Sequence, residues 1–280
     1  MHNASNLPFG IYAWFGHKLP LSRRLALIKS AGFHATCLWW GEAEELRGEQ
    51  RHQMPPMVKE TGLLLDNFHA EYTGCNDFWS DSAPVREAIA ARHTGWLDDC
   101  ALHGAPRLVM HISDGRGPER PHPESIRCIE RVVRAAEERG ITLAVENTMR
   151  ADLNDLVFTE IQSPRLGFCF DSSHAWLNSD QKTAILARWG HLLAVTHLSD
   201  NDGQADRHWL PGSGTIDWPA VAAAFPQSTY HGCLMLEALA AGPEVDDPPE
   251  TYLARARQKI EWIAKLIHGT RRPPAQSTKS

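Results

Sequence analysis

A short apolar run, Val195-Thr-His197, delivers an imidazole, and the polar loop behind it, Leu198-Ser-Asp-Asn-Asp-Gly-Gln-Ala-Asp-Arg-His208, adds Asp200, Asp202, Asp206 and His208. The same arrangement recurs along the chain. Apolar runs end in an acid or a histidine at Phe68-His69, Met110-His111, Val145-Glu146, Phe170-Asp171 and Leu236-Glu237. Carboxylate oxygens and imidazole nitrogens are the ligand set of divalent cations such as zinc, manganese or magnesium. If these runs are neighbouring strands, Glu146, Asp171 and Glu237 meet at one rim above apolar side chains, where three acids repel unless a cation joins them. Glu146, Asp171, His197 and Glu237 are therefore the central candidates for metal ligands. His69, His111, His174, Asp206 and His208 form an outer set, read as further ligands, substrate contacts or groups that orient the ligands. Taken singly, each reads more readily as a hydrogen-bonded structural residue. Recurrence at successive strand ends is what points to metal.

The elements that would hold these groups are legible. Strand candidates are Gly10–Trp14, Ala35–Trp40, Leu63–His69, Leu108–Ile112, Thr142–Glu146, Gly167–Asp171, Leu193–Leu198 and Gly232–Glu237. Between them lie helical patterns such as Ile126, Ile129, Val132, Val133, Ala136 and Leu253, Ala256, Ile260, Ile263, Ile267. Gly140 marks the end of the fourth helix. This alternation predicts a single α/β domain, a closed (β/α)8 TIM barrel over residues 1–268, with a flexible tail at 269–280. A doubly wound sheet would more often show a Gly-rich turn after its first strand, where this chain has Phe15-Gly-His-Lys-Leu-Pro. Period-two geometry then aims Glu146, Ala144 and Thr142 into the barrel, and Glu237 with Met235 and Cys233.

Composition narrows the class. The net charge of −6 disfavours a nucleic-acid partner, which draws on clustered Lys and Arg. The six cysteines form no CxxC pair and read as reduced thiols. The N-terminus lacks a basic segment followed by an apolar one, and no run approaches the ~20 residues of a membrane span. The expectation is a cytoplasmic protein, with self-association left open.

The loops add detail. Phe170-Asp171-Ser-Ser-His174 places an imidazole three residues past its acid, and Asp206-Arg-His208 sets two ligands on one side of an extended loop with Arg207 turned away. Trp14, Trp39, Trp40, Trp79, Trp176 and Trp209 fall at or past strand ends, where they either wall a sugar-sized pocket or pack between barrel and helices. Asp114-Gly-Arg-Gly117 and Gly212-Ser-Gly214 could close on a substrate, though the latter reads better as a turn into a helix capped by Asp217. His17, His34, His93, His103, His122, His191 and His231 belong to no cluster and are expected to face solvent.

On these residues the chain resembles the xylose isomerase-like TIM barrels, a superfamily that includes endonuclease IV and the ketose 3-epimerases. The likeness runs from Phe9 to Ile267. It is carried by Asn67-Phe-His-Ala-Glu-Tyr72, Ala144-Val-Glu-Asn147, Gly167-Phe-Cys-Phe-Asp-Ser-Ser-His174, His197-Leu-Ser-Asp-Asn-Asp-Gly203, Leu210-Pro-Gly-Ser-Gly-Thr-Ile-Asp-Trp218 and Leu236-Glu237. The epimerase branch implies one manganese or magnesium ion on Glu146, Asp171, His197 and Glu237. There the two glutamates exchange a proton beside the substrate carbonyl through an enediolate, and His174 and Arg207 touch substrate oxygens. The endonuclease IV branch implies three zinc ions on His69, His111, Glu146, Asp171, His174, His197, Asp206, His208 and Glu237. The ligand set leans towards the second branch and the loops towards the first. Ile11-Tyr-Ala-Trp-Phe, His111-Ile-Ser-Asp-Gly and Ser199-Asp-Asn stand where endonuclease IV-like proteins carry His-Val-Ser, His-Pro-Gly and Asn-Asp-Ser.

The leading expectation is a metal-dependent isomerase or epimerase acting on a sugar, sugar phosphate or polyol-derived ketone, with Glu146 and Glu237 as acid and base and one to three divalent ions. The runner-up is an endonuclease IV-like phosphodiester hydrolase. A non-catalytic sugar-binding barrel comes third, since a binder would not need both glutamates.

Overall fold

The β-rich runs become eight parallel strands wrapped into a barrel. The computed structural model describes residues 7–41, 50–177, 182–226 and 229–270. The strands are β1 (Phe9–Tyr12), β2 (Ala35–Trp40), β3 (Leu64–Ala70), β4 (Arg107–Met110), β5 (Thr142–Glu146), β6 (Leu166–Asp171), β7 (Leu193–His197) and β8 (Leu234–Leu236). Each pairs with the next in chain order from β1 to β7, and β8 returns to pair with β1. The ring closes between β7 and β8 through one parallel bridge, Leu198 to Leu236. At that seam the Thr196 hydroxyl accepts from the Met235 amide (3.0 Å) and donates to the Cys233 carbonyl (3.2 Å), supplying hydrogen bonds the ladder lacks.

Among the described residues the helices are α1 (Leu21–Ser30), α2 (Met54–Glu60), α3 (Ala83–His103), α4 (Ser125–Arg139), α5 (Ala151–Glu160), α6 (Ser172–Leu177), α7 (Ala184–Trp189), α8 (Trp218–Ala224) and α9 (Pro249–Gly269). Gly140 ends α4 at φ +68°, a conformation a side chain would strain. The Asp217 carboxylate caps α8 by accepting from the Ala220 amide at 3.0 Å. The inward faces of α4 and α9 bury Ile129, Val132, Val133, Ile260 and Ile263 against the outer faces of the strands, where Leu143, Val145, Leu234 and Leu236 point.

Inside the barrel the side chains are mostly small, Met235 excepted. Ala35, Cys37, Cys233 and Met235 fill one part and Val109, Ala144, Cys169 and Val195 another, separate from the core under the helices. Gly10 is part of the fit: a Cβ there would overlap the Met235 side chain. The expected inward set of Ala144, Cys233 and Met235 is thus realised.

Three differences from expectation have physical reasons. β1 and β8 stop short of Trp14 and Glu237, because the chain leaves the ladder to form the rim loops. His93 is buried on α3, four residues after Ile89 and three before Trp96, so the helical period turns it inward. Its Nδ1 sits 2.8 Å from the Ile89 carbonyl. His17 is also buried, against Phe15 and Tyr252. The expected tail beyond residue 270 lies outside the described residues. All six cysteines are free and buried. Among the described residues no helix is long and apolar enough to cross a membrane.

Candidate metal centre

Strand periodicity builds the site. Val109, Ala144, Cys169, Val195 and Met235 point into the barrel. Two residues further along, on the same side, stand His111, Glu146, Asp171, His197 and Glu237, with His69 beside them on β3. Their ligand atoms fall into overlapping groups lying within 4.8 Å: His69, His111 and Glu146; His69, His197 and Glu237; Glu146, Cys169 and His197; and Glu146, Asp171, His197 and Glu237. Glu146 is completely buried and central. Its Oε2 lies 3.3 Å from His69 Nε2, 3.4 Å from His111 Nε2 and 3.2 Å from His197 Nδ1. His197 Nδ1 is also 3.1 Å from Glu237 Oε2. With metal–ligand bonds of about 2.1 Å, neighbouring ligands stand about 3.0 Å apart in an octahedron and about 3.4 Å in a tetrahedron. The observed spacings match.

A further group lies nearer solvent. Asp206 Oδ2 stands between His174 Nε2 (3.3 Å) and His208 Nε2 (3.1 Å). Three of the histidines are aimed by backbone carbonyls that hold the other ring nitrogen: His69 Nδ1 at Ala70 O (2.9 Å), His174 Nδ1 at Asn147 O (3.0 Å) and His208 Nδ1 at Glu237 O (3.0 Å). Such pinning fixes the ring and presents the remaining nitrogen to a ligand. His208 adopts φ +50°, a left-handed conformation that costs a non-glycine residue about 1–2 kcal/mol.

Donor chemistry tests whether these residues suit a cation. His197 Nδ1 and Nε2, His111 Nε2, Glu146 Oε1 and Asp171 Oδ2 are buried without a hydrogen-bond partner. Buried polar atoms are nearly always satisfied. A cluster of orphans with lone pairs converging at ligand–ligand spacing fits a divalent ion.

Without one, the cluster balances charge internally. Burial opposes ionisation of Glu146, yet the imidazoles of His111 and His197 hold its carboxyl well below the usual range. Burial pushes Asp171 up to about 7, Glu146 adding to the rise while His174 opposes it. Glu237 is drawn down to about 2 by His197 despite its burial. His174 and His197 are raised against burial, chiefly by Asp171 for the first and by Cys169 and Glu237 for the second. Burial lowers His111. In the outer group Asp206 is lowered by His174 and His208, and His208 rises to about 9 against burial through Asp206. A cation entering the site would displace protons from these imidazoles.

The groups open onto a cavity of about 470 Å³. It is lined by the candidate ligands other than Asp171 and His197, and by Trp39, Tyr72, Asp114, Thr148, Met149 and Leu177 among others. Trp39 stacks on His69, and Tyr72 lies almost parallel over His111, each with centroids 5.3 Å apart. The aromatic wall therefore comes from Trp39 and Tyr72, whereas Trp14 and Trp176 are not among the lining residues. The Arg24 guanidinium lies over Trp14, and Trp176 packs on the core. Arg207 is held away from the cavity by Asp202 (2.8 Å). Asp200 is fully buried, and its carboxylate accepts from Gly212, Ile216 and Trp218 Nε1, so it organises the loop. Sequence reasoning missed Tyr72 and the amides behind the ligands. Asn147 pins the Asp171 backbone from both sides, and Asn154 donates to the Glu146 carbonyl. An Asn directly after a strand-end Glu was the available signal.

Comparison with known proteins agrees with this architecture. Residues 25–266 match the model of the family described as xylose isomerase-like TIM barrel. The uncharacterized protein y4fM of Sinorhizobium fredii is 28% identical over 249 residues, covering 76% of this chain and 79% of that one. A probable endonuclease 4 of Methanoculleus marisnigri is 31% identical over 163 residues, covering 49% of this chain and 58% of its own. Among solved structures, D-psicose 3-epimerase from Clostridium cellulolyticum superposes with a TM-score of 0.73 at 15% identity, covering 93% of this chain and 99% of that one. L-ribulose 3-epimerase superposes with a TM-score of 0.71 at 18% identity, covering 98% and 100%. At these identities the structural likeness is one of fold.

Proposed function

The chain belongs to the xylose isomerase-like TIM barrel family, and on that premise we propose that it is a divalent-metal-dependent isomerase or epimerase of a carbohydrate-type small molecule. The observation that supports this most is the group Glu146, Asp171, His197 and Glu237, gathered within 4.8 Å at the barrel mouth. A divalent ion held there, manganese, zinc or magnesium, would polarise a substrate carbonyl or hydroxyl and so ease loss of a proton from the neighbouring carbon. Glu146 and Glu237 both line the cavity, each beside His197 Nδ1, and are the candidate pair to take that proton and return one. Trp39 and Tyr72 would flank the substrate and limit water. The epimerases named among the structural neighbours support the substrate class. The six free cysteines fit a reducing compartment such as the cytoplasm.

Deuterium uptake tests the reading. Metal-loaded protein in D2O should place solvent deuterium beside the carbonyl of a ketose, and Glu237→Gln should slow exchange by about 10²–10⁴-fold. No exchange across a broad ketose panel would overturn it.

A second reading has its own support. His69, His111 and Glu146 form one group, and Asp206 adds contacts to His174 and His208 nearer solvent, so the residues offer more ligands than a single ion takes. That favours an endonuclease IV-like hydrolase, and the partial likeness to a probable endonuclease 4 agrees. It requires cleavage of abasic-site duplex DNA that weakens with salt.

A further inference from the structure

One motif that carries the family likeness has no role in either reaction: the loop Leu210-Pro-Gly-Ser-Gly-Thr-Ile-Asp-Trp218. Gly212 and Gly214 are not substrate contacts here, since neither lines the cavity. Gly214 packs so closely on the chain after β7 that a Cβ would overlap the Asn201 carbonyl and the Asp200 carboxylate. The Thr215 amide donates to that same Asn201 carbonyl at 2.8 Å, and Asp200 Oδ1 receives the amides of Asn201 (2.9 Å) and Ile216 (3.1 Å). Asn201 is thereby fixed from three directions and fully buried.

From Asn201 a directed chain of hydrogen bonds runs to the site. Its Nδ2 donates to Ser173 Oγ at 2.9 Å and to the Ser173 carbonyl at 3.0 Å. Ser173 Oγ, fully buried at the start of α6, donates in turn to Asp206 Oδ1 at 2.6 Å. With one oxygen held in this way, the other, Oδ2, faces His174 Nε2 and His208 Nε2. Asp206 needs such help more than the other acids do. It sits on a loop with its side chain 29% exposed, whereas Glu146 and Asp171 are fixed at strand ends and fully buried.

We propose that Asn201 and Ser173 form a buried positioning relay, through which the glycine loop 212–214 orients Asp206 so that His174, Asp206 and His208 can hold a cation. Ser173 and Asn201 act through Asp206 and do not touch substrate. The relay rests on the outer group binding a cation and is independent of whether the reaction is isomerisation or hydrolysis, so the two claims fail separately.

The test is made on full-length protein stripped with chelator and reloaded with zinc. Ions per chain are counted by elemental analysis, and the weakest-held ion is titrated against a chromophoric chelator. Asp206→Ala defines loss of the outer ion. Ser173→Ala should keep the wild-type melting temperature and the inner ions while weakening the outer ion about 10–100-fold. Ser173→Thr, which restores the hydroxyl, should recover affinity. Gly214→Ala should act in the same direction as Ser173→Ala, and if it fails to fold, the Ser173 pair decides. An outer ion held as tightly by folded Ser173→Ala as by wild type would overturn the relay. An unchanged ion count in Asp206→Ala would overturn it too.

Discussion

The inner and outer halves of the centre are built from the same residue types by opposite means. Glu146, Asp171 and His197 are the last residues of β5, β6 and β7, wholly buried, and the pleat sets their direction. His174, Asp206 and His208 lie on a short helix and a loop, each partly open to solvent. Their direction comes from hydrogen bonds to backbone carbonyls and to Ser173. A ligand at a strand end costs the fold little extra order, because the sheet has already fixed its backbone. A loop ligand must be held by dedicated groups, and those groups can change without disturbing the barrel. The inner half is the part a family can keep while the outer half adapts.

The sharpest way to break the contrast is to remove one acid from each half. Glu146→Ala should abolish cation binding at all three groups that share it and lower turnover about a thousand-fold or more. Asp206→Ala should leave the inner ions in place and, for an isomerase, turnover within about tenfold. Equal losses measured for the two variants would make the outer group part of the chemistry and favour hydrolysis.

Acid offers a smaller, separable effect. His93, buried outside the centre with only the Ile89 carbonyl beside its Nδ1, has its pKa lowered by burial from 6.5 to about 4. Between those values the unfolded chain binds a proton that the folded one refuses. Stability therefore falls as pH drops through that window, by about 3 kcal/mol in all. Urea unfolding of wild type and His93→Phe at pH 7 and pH 4.5 should show the variant losing less. Identical losses would mean that His93 contributes nothing to acid sensitivity.

The smallest effect is expected at the wall. Trp39→Leu removes the ring stacked on His69 and should weaken inner zinc binding about two- to tenfold, read by chelator competition, with the ion count unchanged.

Much of this was readable from the chain alone, for a physical reason. Strands repeat every two residues, so an apolar run ending in Asp171 or Glu146 announces both the strand and the direction of the acid. The fold followed from eight such runs, and the gathering of His69, His111, Glu146, Asp171, His197 and Glu237 followed from the fold. Loops have no such period. That Arg207 turns to Asp202, that Tyr72 rather than Trp14 or Trp176 lines the cavity, and that Asn201 reaches Ser173 all depend on contacts between distant segments. His93 shares the buried face of α3 with Ile89 and Trp96, a helical period that its polar side chain obscures.

The small side chains under the ligands carry one more consequence. Cys169 and Ala144 stand two residues before Asp171 and Glu146, while Phe170 and Val145 face the helices between them. A slip of β6 by a single step would swing Asp171 out among the helices and turn Phe170 into the mouth. Cation uptake thus works as a gauge of alignment, since a barrel assembled one notch out on any of the ligand-bearing strands could not be loaded.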